Sequence, residues 1–162
     1  MSRSPETVQA PFSHMAIETD HVWDALDFVA GLPCLDFTNT AGGHTKIREV
    51  ERIPTYHDAV SWSLQAGLLA PAEAKALLAL VKARPKDAFQ RVRELQAFRE
   101  SLHRLVAAIA GKEQPLRADF TRVRGTIAKM LAAAEMQPGE TGFNWSADPD
   151  ALGLGTVIAR VA

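Results

Sequence analysis

The chain has 162 residues, a hydrophobic fraction of 47% and a formal net charge of -1. It suits one packed domain and excludes an overall electrostatic pull toward nucleic acid or acidic membranes. A single cysteine, Cys34, excludes an intrachain disulfide and a zinc site built from two to four thiolates. No apolar run approaches the ~20 residues that span a bilayer, and the polar start MSRSPETVQAPFSH lacks a signal-peptide core, so the expected location is the cytoplasm.

Residues 1–21 mix Ser, Pro, Thr, Gln and His without periodicity and read as a loosely held leader to a domain over 22–162. Val22 to Ala30 (VWDALDFVA) is read as a strand broken by Gly31, although its pattern also permits a helical turn. Pro33 suits the first turn of a helix, which predicts a short helix from Pro33 to Thr40 stopped by the turn Ala41-Gly42-Gly43. Residues 42–54 are polar, end in proline and read as a connecting loop with room for a short strand.

Thr55 and Asp58 form a capping-box pattern with Asp in place of Glu, opening a helix that stops at Gly67. Pro71 begins the next helix, and Pro85 marks its limit or the start of its successor. From Asp87 to Ala110 the apolar residues Phe89, Val92, Leu95, Phe98, Leu102, Leu105, Val106 and Ile109 recur at threes and fours, an amphipathic helical stripe. After Pro115 the residues Leu116, Phe120, Val123, Ile127 and Met130 repeat that spacing, predicting a second long helix antiparallel to the first. LAAAEMQPGETGFNWS places a Pro-Gly-Glu-Thr turn inside a β-hairpin. Asp148-Pro149 reads as a helix start, with Val157, Ile158 and Val161 at helical spacing. The expected fold class is mainly α (α+β), two long antiparallel helices with a small antiparallel β element.

Gly31-Leu32-Pro33-Cys34-Leu35-Asp36-Phe37-Thr38-Asn39-Thr40 resembles the Gly-x-x-x-Leu-Asp-Phe-x-Asn-Thr signature of the ABATE domain family. Trp62 with Gly67-Leu68-Leu69, then Phe98-Arg99-Glu100 with Leu102, and a late segment ending in Trp145 follow in the family's order. The resemblance implies a ligand-sensing or interaction domain of bacterial, stress-induced transcription regulators. Such proteins typically continue into a zinc-binding module with paired cysteines and a Cys-Gly-Asn-Arg sequence that contacts DNA. Nothing in these residues matches that module, so direct nucleic-acid binding is not expected of them.

Asp36, Asn39 and Thr40 fall at i, i+3 and i+4, one helix face on which they can jointly hold a polar ligand. With Trp62, Arg99 and His103 they make up the candidate ligand-binding residues. The structural alternative pairs Asp36 with Arg99 and lets Asn39 and Thr40 satisfy backbone groups at the helix end. Cys34 lies at a helix start, where the dipole favours thiolate, although free cysteine is more often simply packed.

The five histidines, His14, His21, His44, His57 and His103, show no metal-binding spacing, and Gly42-Gly43 lacks the rest of a phosphate loop. No metal or other cofactor and no enzymatic activity are expected. Trp62 and Trp145 read as core residues, or as walls of a cavity if one opens between them.

Residues 1–60 carry 4 positive and 9 negative side chains, whereas residues 82–104 carry 7 and 3. The basic stretch Lys82, Arg84, Lys86, Arg91 and Arg93 suits phosphate contacts or an acidic partner, without any recognition-helix motif. Two rival functions remain: a small hydrolase or lyase using Cys34 or His103, and a dimerisation module giving a homodimer.

Overall fold

The computed structural model describes residues 16–17, 21–42, 48–139, 142–147 and 155–161. The expected turn glycine Gly43, the hairpin turn residues 140–141, the helix start at Asp148-Pro149, most of the leader, and His14 and His44 lie outside them.

Residues 22–30 are not a strand. Ala25–Asp27 form a 3-10 turn, because Asp24 and Asp27 satisfy one another's backbone ends: Leu26 N donates to the Asp24 carboxylate (2.7 Å) and Asp24 N to that of Asp27 (3.0 Å). Two short acidic side chains three residues apart favour a capped turn over an extended ladder, which outweighs the apolar alternation read from the sequence.

Helix α1 (Pro33–Asn39) begins with proline at its first turn and ends at Thr40, as expected. It leads into β2 (Ala41–Gly42), antiparallel to β3 (Val50–Glu51). β3 also pairs in parallel with β1 (Ala16–Ile17), so the polar loop holds the central strand of a three-stranded sheet and part of the supposed leader supplies an edge.

Helix α2 (Tyr56–Gln65) opens on the Thr55 and Asp58 box, with Asp58 N donating to Thr55 Oγ1 (3.3 Å) and Thr55 N donating back to Asp58 Oδ2 (3.0 Å). Gly67 follows with φ +72°, a left-handed conformation that favours glycine after a helix end. Prolines start both α3 (Pro71–Ala83) and α4 (Pro85–Ala110).

Helix α5 (Arg117–Ala132) returns along α4. Arg104 meets Asp119 beside the connection, while Arg91 and Glu94 share a cleft with Lys129 and Met130 near the other end, the order of an antiparallel pair. The hairpin β4 (Ala134–Gly139) and β5 (Gly142–Ala147) pairs in register with Gly139 opposite Gly142, and α6 (Thr156–Val161) completes the described chain.

The core forms where α4 packs against α1, α2, α3 and α5. Phe37, Trp62 and Phe98 are its centre. The Phe37 ring lies 5.4 Å from that of Trp62 and 6.4 Å from that of Phe98, and Phe28 also stacks on Trp62, at 6.1 Å. Val60, Leu77, Val92, Leu95 and Val157 enclose them, so the middles of the helical stripes read from the sequence are buried, while Phe89, Ile109, Leu116 and Phe120 at their ends are exposed. The fold is mainly helical with small antiparallel strand pairings, the expected class.

Candidate functional site

The polar residues of α1 do not converge. Asp36 is buried and its Oδ1 accepts from Ala30 N (2.8 Å), tying the preceding loop to the helix. The supposed pair between Asp36 and Arg99 is therefore absent. Asn39 is exposed. Thr40, buried at the helix end, donates to Phe37 O (2.7 Å) and accepts from Arg99 Nη1 (3.1 Å). Trp62, fully buried among aromatic rings, is a core residue. Of the six candidate residues, hydrogen bonding joins only Thr40 and Arg99, with His103 one turn further along α4.

What holds Arg99 is Glu51 of β3. The guanidinium, 0% exposed, forks onto both carboxylate oxygens, Nη1 to Oε1 at 2.7 Å and Nη2 to Oε2 at 2.5 Å. Its Nε donates to Glu100 (3.0 Å), and Arg48 binds the Glu100 carboxylate with Nε (2.9 Å) and Nη2 (3.0 Å) while reaching Thr38 O (2.7 Å). Glu51 also accepts from Ile53 N (2.8 Å). A bidentate pair this deeply buried persists when its remaining lone pairs and donors are filled. Here they are filled by the protein itself, so the cluster stitches α1, the central strand and α4 together.

Burial alone would raise the Glu100 carboxyl, but the Arg48 hydrogen bond and the Arg99 and Arg48 charges outweigh it and hold the pKa below the ordinary value. His103, half-buried, has its pKa shifted downward. Burial lowers its pKa below 6.5, Arg48, Arg104 and Arg99 add to that, and Glu100 opposes it.

The folded protein thus binds the His103 proton less readily than the unfolded chain. Stability contributed by the neutral ring is complete above pH 6.5 and is lost as pH falls from there toward the folded value. His103→Gln is expected to flatten the decline in melting temperature between about pH 7 and pH 5. An unchanged decline would place the titration elsewhere.

Cys34, half-buried, makes no hydrogen bond to a histidine among the described residues, and no group of three or more His, Cys, Asp or Glu there is arranged to hold a metal ion. Of the basic stretch, Lys82, Arg84 and Lys86 are exposed, while Arg91 is paired with Glu94 (2.7 Å). The Trp145 side chain lies outside the described structure.

A concave feature lies elsewhere among the described residues. A cleft of about 750 Å³ lies between α4, α5 and the start of α6, within the size range of small-molecule sites. Phe98, Met130 and Ile158 supply apolar surface, Thr121 and Thr126 hydroxyls, and Arg91, Arg122 and Lys129 positive charge against the single carboxylate of Glu94. None of the six residues singled out from the sequence lines it.

Outside the cleft, Arg104 Nε and Nη2 bind the Asp119 carboxylate at 2.8 and 2.5 Å, pinning the first turn of α5 to α4. Those hydrogen bonds hold Asp119 below its ordinary pKa.

Gly125 lies in the interior of α5 and lines the cleft. Glycine there costs a helix roughly 0.5–1 kcal/mol relative to alanine, yet a Cβ added at Gly125 would meet no atom within 4 Å. Packing does not require the glycine. Gly125→Ala is therefore expected to raise the unfolding free energy by about 0.5–1 kcal/mol in urea titrations, and a loss of stability would reveal a steric demand.

This architecture defines a mainly helical domain whose charged cluster braces the fold and in which a cleft opens beside the two longest helices. The chain belongs to the ABATE family: residues 31–162 match the family model described as "Putative stress-induced transcription regulator". No curated protein and no solved structure matches it. No helix among the described residues is long and apolar enough to cross a membrane.

Proposed function

We propose that this chain is the ligand-sensing domain of a cytoplasmic, stress-responsive transcription regulator, and that its receptor site is the cleft between α4, α5 and α6. The observation that carries the reading is the combination in that cleft of apolar floor, hydroxyls and unbalanced positive charge, the composition of a small-molecule site. The family description supplies the regulatory context. The polar face of α1, the site suggested by sequence, instead uses Thr40 in internal bonds and leaves Asn39 on the surface.

Amide chemical-shift mapping with a library of small organic fragments tests the site. Shifts are expected to gather at Phe98, Thr126, Met130 and Ile158. Shifts centred on Asp36, Asn39 and Thr40 would return the site to α1.

A second reading, a dimerisation module, is favoured by Ile109, Leu116 and Phe120, large apolar side chains exposed at the end where α4 and α5 are joined. Light scattering that finds a mass near 17.6 kDa would remove it.

A further inference from the structure

We infer that the cleft between α4, α5 and α6 takes an organic anion with an apolar body, the anionic head lying against Arg122 and Lys129 and the body against Phe98, Met130 and Ile158. The inference rests on the cleft being the receptor site and adds the class of molecule it receives.

Charge decides the class. Three cations and one carboxylate line the cleft, and the carboxylate of Glu94 is already engaged by Arg91 at 2.7 Å. Arg122 and Lys129 make no ion pair among the described residues. The carboxylate nearest to Arg122 along α5, Asp119, is held by both Arg104 hydrogen bonds. Arg122 and Lys129 thus line the same concavity about two turns apart on one helix, neither hydrogen-bonded to a carboxylate among the described residues although Asp119 lies near enough to Arg122 to share its charge, and an anionic group entering between them gains charge-assisted hydrogen bonds.

Shape decides the rest of the molecule. Ile158 of α6 and Met130 of α5, both partly exposed, supply the apolar side, which Phe98 lines from the core. An inorganic anion would leave that surface wet, whereas an apolar body covers it.

Gly125 separates Arg122 from Lys129 in sequence, and the open space above it is what a ligand passing between the two cations needs. A helix-interior glycine that no packing contact requires is accounted for by room kept for an occupant. The threonine hydroxyls of Thr121 and Thr126 lie at the same wall and supply donors to the head group.

The test is calorimetric titration of the full chain with decanoate, decanol, decyltrimethylammonium and inorganic phosphate, repeated on the Arg122→Ser/Lys129→Ser double variant and on Gly125→Leu. Decanoate is expected to bind saturably and more tightly than decanol. Phosphate and decyltrimethylammonium are expected not to bind.

The double variant should weaken decanoate about tenfold or more while leaving decanol unchanged, as loss of charged hydrogen bonds predicts. Gly125→Leu, which fills the open space, should abolish binding of both. Equal affinity for decanoate and decanol, or a double variant that binds decanoate normally, overturns the anion assignment and leaves the cleft standing as a site. Binding that survives Gly125→Leu removes the cleft itself, and the absence of saturable decanoate binding overturns the proposal.

Discussion

Arg99→Met is expected to lower the unfolding free energy by about 3–5 kcal/mol, the cost of leaving one partner of a buried ion pair alone. The reason is the position of Glu51. Its carboxylate, on a residue 4% exposed, gives both oxygens to the Arg99 fork, and after the substitution Ile53 N alone among the described residues would still donate to it. Thr40 would lose its Arg99 donor as well.

Replacing both partners, Arg99→Met with Glu51→Leu, removes the uncompensated charge and is expected to recover at least half of the loss. Urea unfolding of the two single variants and the double variant measures the coupling. A single variant within about 1 kcal/mol of the parent, below the range for a broken buried pair, would show that the pair does not brace the fold.

Trp62→Ala is expected to cost about 3–5 kcal/mol, the range for truncating a large core aromatic. Trp62 is 0% exposed, and its ring contacts both Phe28 and Phe37, so the vacated volume lies where α1 and α2 meet and cannot fill by movement of one loop. Trp62→Phe should be much milder. The indole Nε1 has no hydrogen-bond partner among the described residues, so the smaller ring gives up volume and no polar contact, for a cost of about 1.5 kcal/mol or less. Thermal unfolding of the pair checks the order, and equal losses in the two variants would point to a hydrogen bond of the indole, and not its volume, as the main source of the loss.

The helices are legible in the sequence because their signals are local. Thr55 and Asp58 name a helix start without reference to anything else in the chain, Pro71 and Pro85 do the same, and the apolar stripe of α4 states which face is buried. The hairpin is legible for a similar reason, a turn-forming segment between two short pairing segments.

Residues 22–30 mislead because their apolar alternation is more conspicuous than the Asp24 and Asp27 spacing, which closes a turn. In the candidate site, Arg99 and Thr40 belong together, but the carboxylate that holds Arg99, Glu51, sits on the two-residue strand β3 within a polar segment whose path no periodicity describes. Matching Asp36 to Arg99 follows charge alone, when a backbone donor six residues back is nearer to hand.

The cleft is not legible because three helices must meet before it exists. Its residues look ordinary in sequence: Phe98 and Met130 belong to core stripes, Arg122 and Lys129 to a polar face. Gly125 is the available signal, a helix breaker in the middle of a regular apolar repeat.

The most direct measurement is a paired decanoate titration of Asn39→Ala and Gly125→Leu, two variants that change exposed or open positions and leave the core intact. If the cleft is the receptor site, Asn39→Ala binds as the parent does and Gly125→Leu does not bind. Loss of binding in Asn39→Ala with retention in Gly125→Leu would contradict the account and place the ligand on α1.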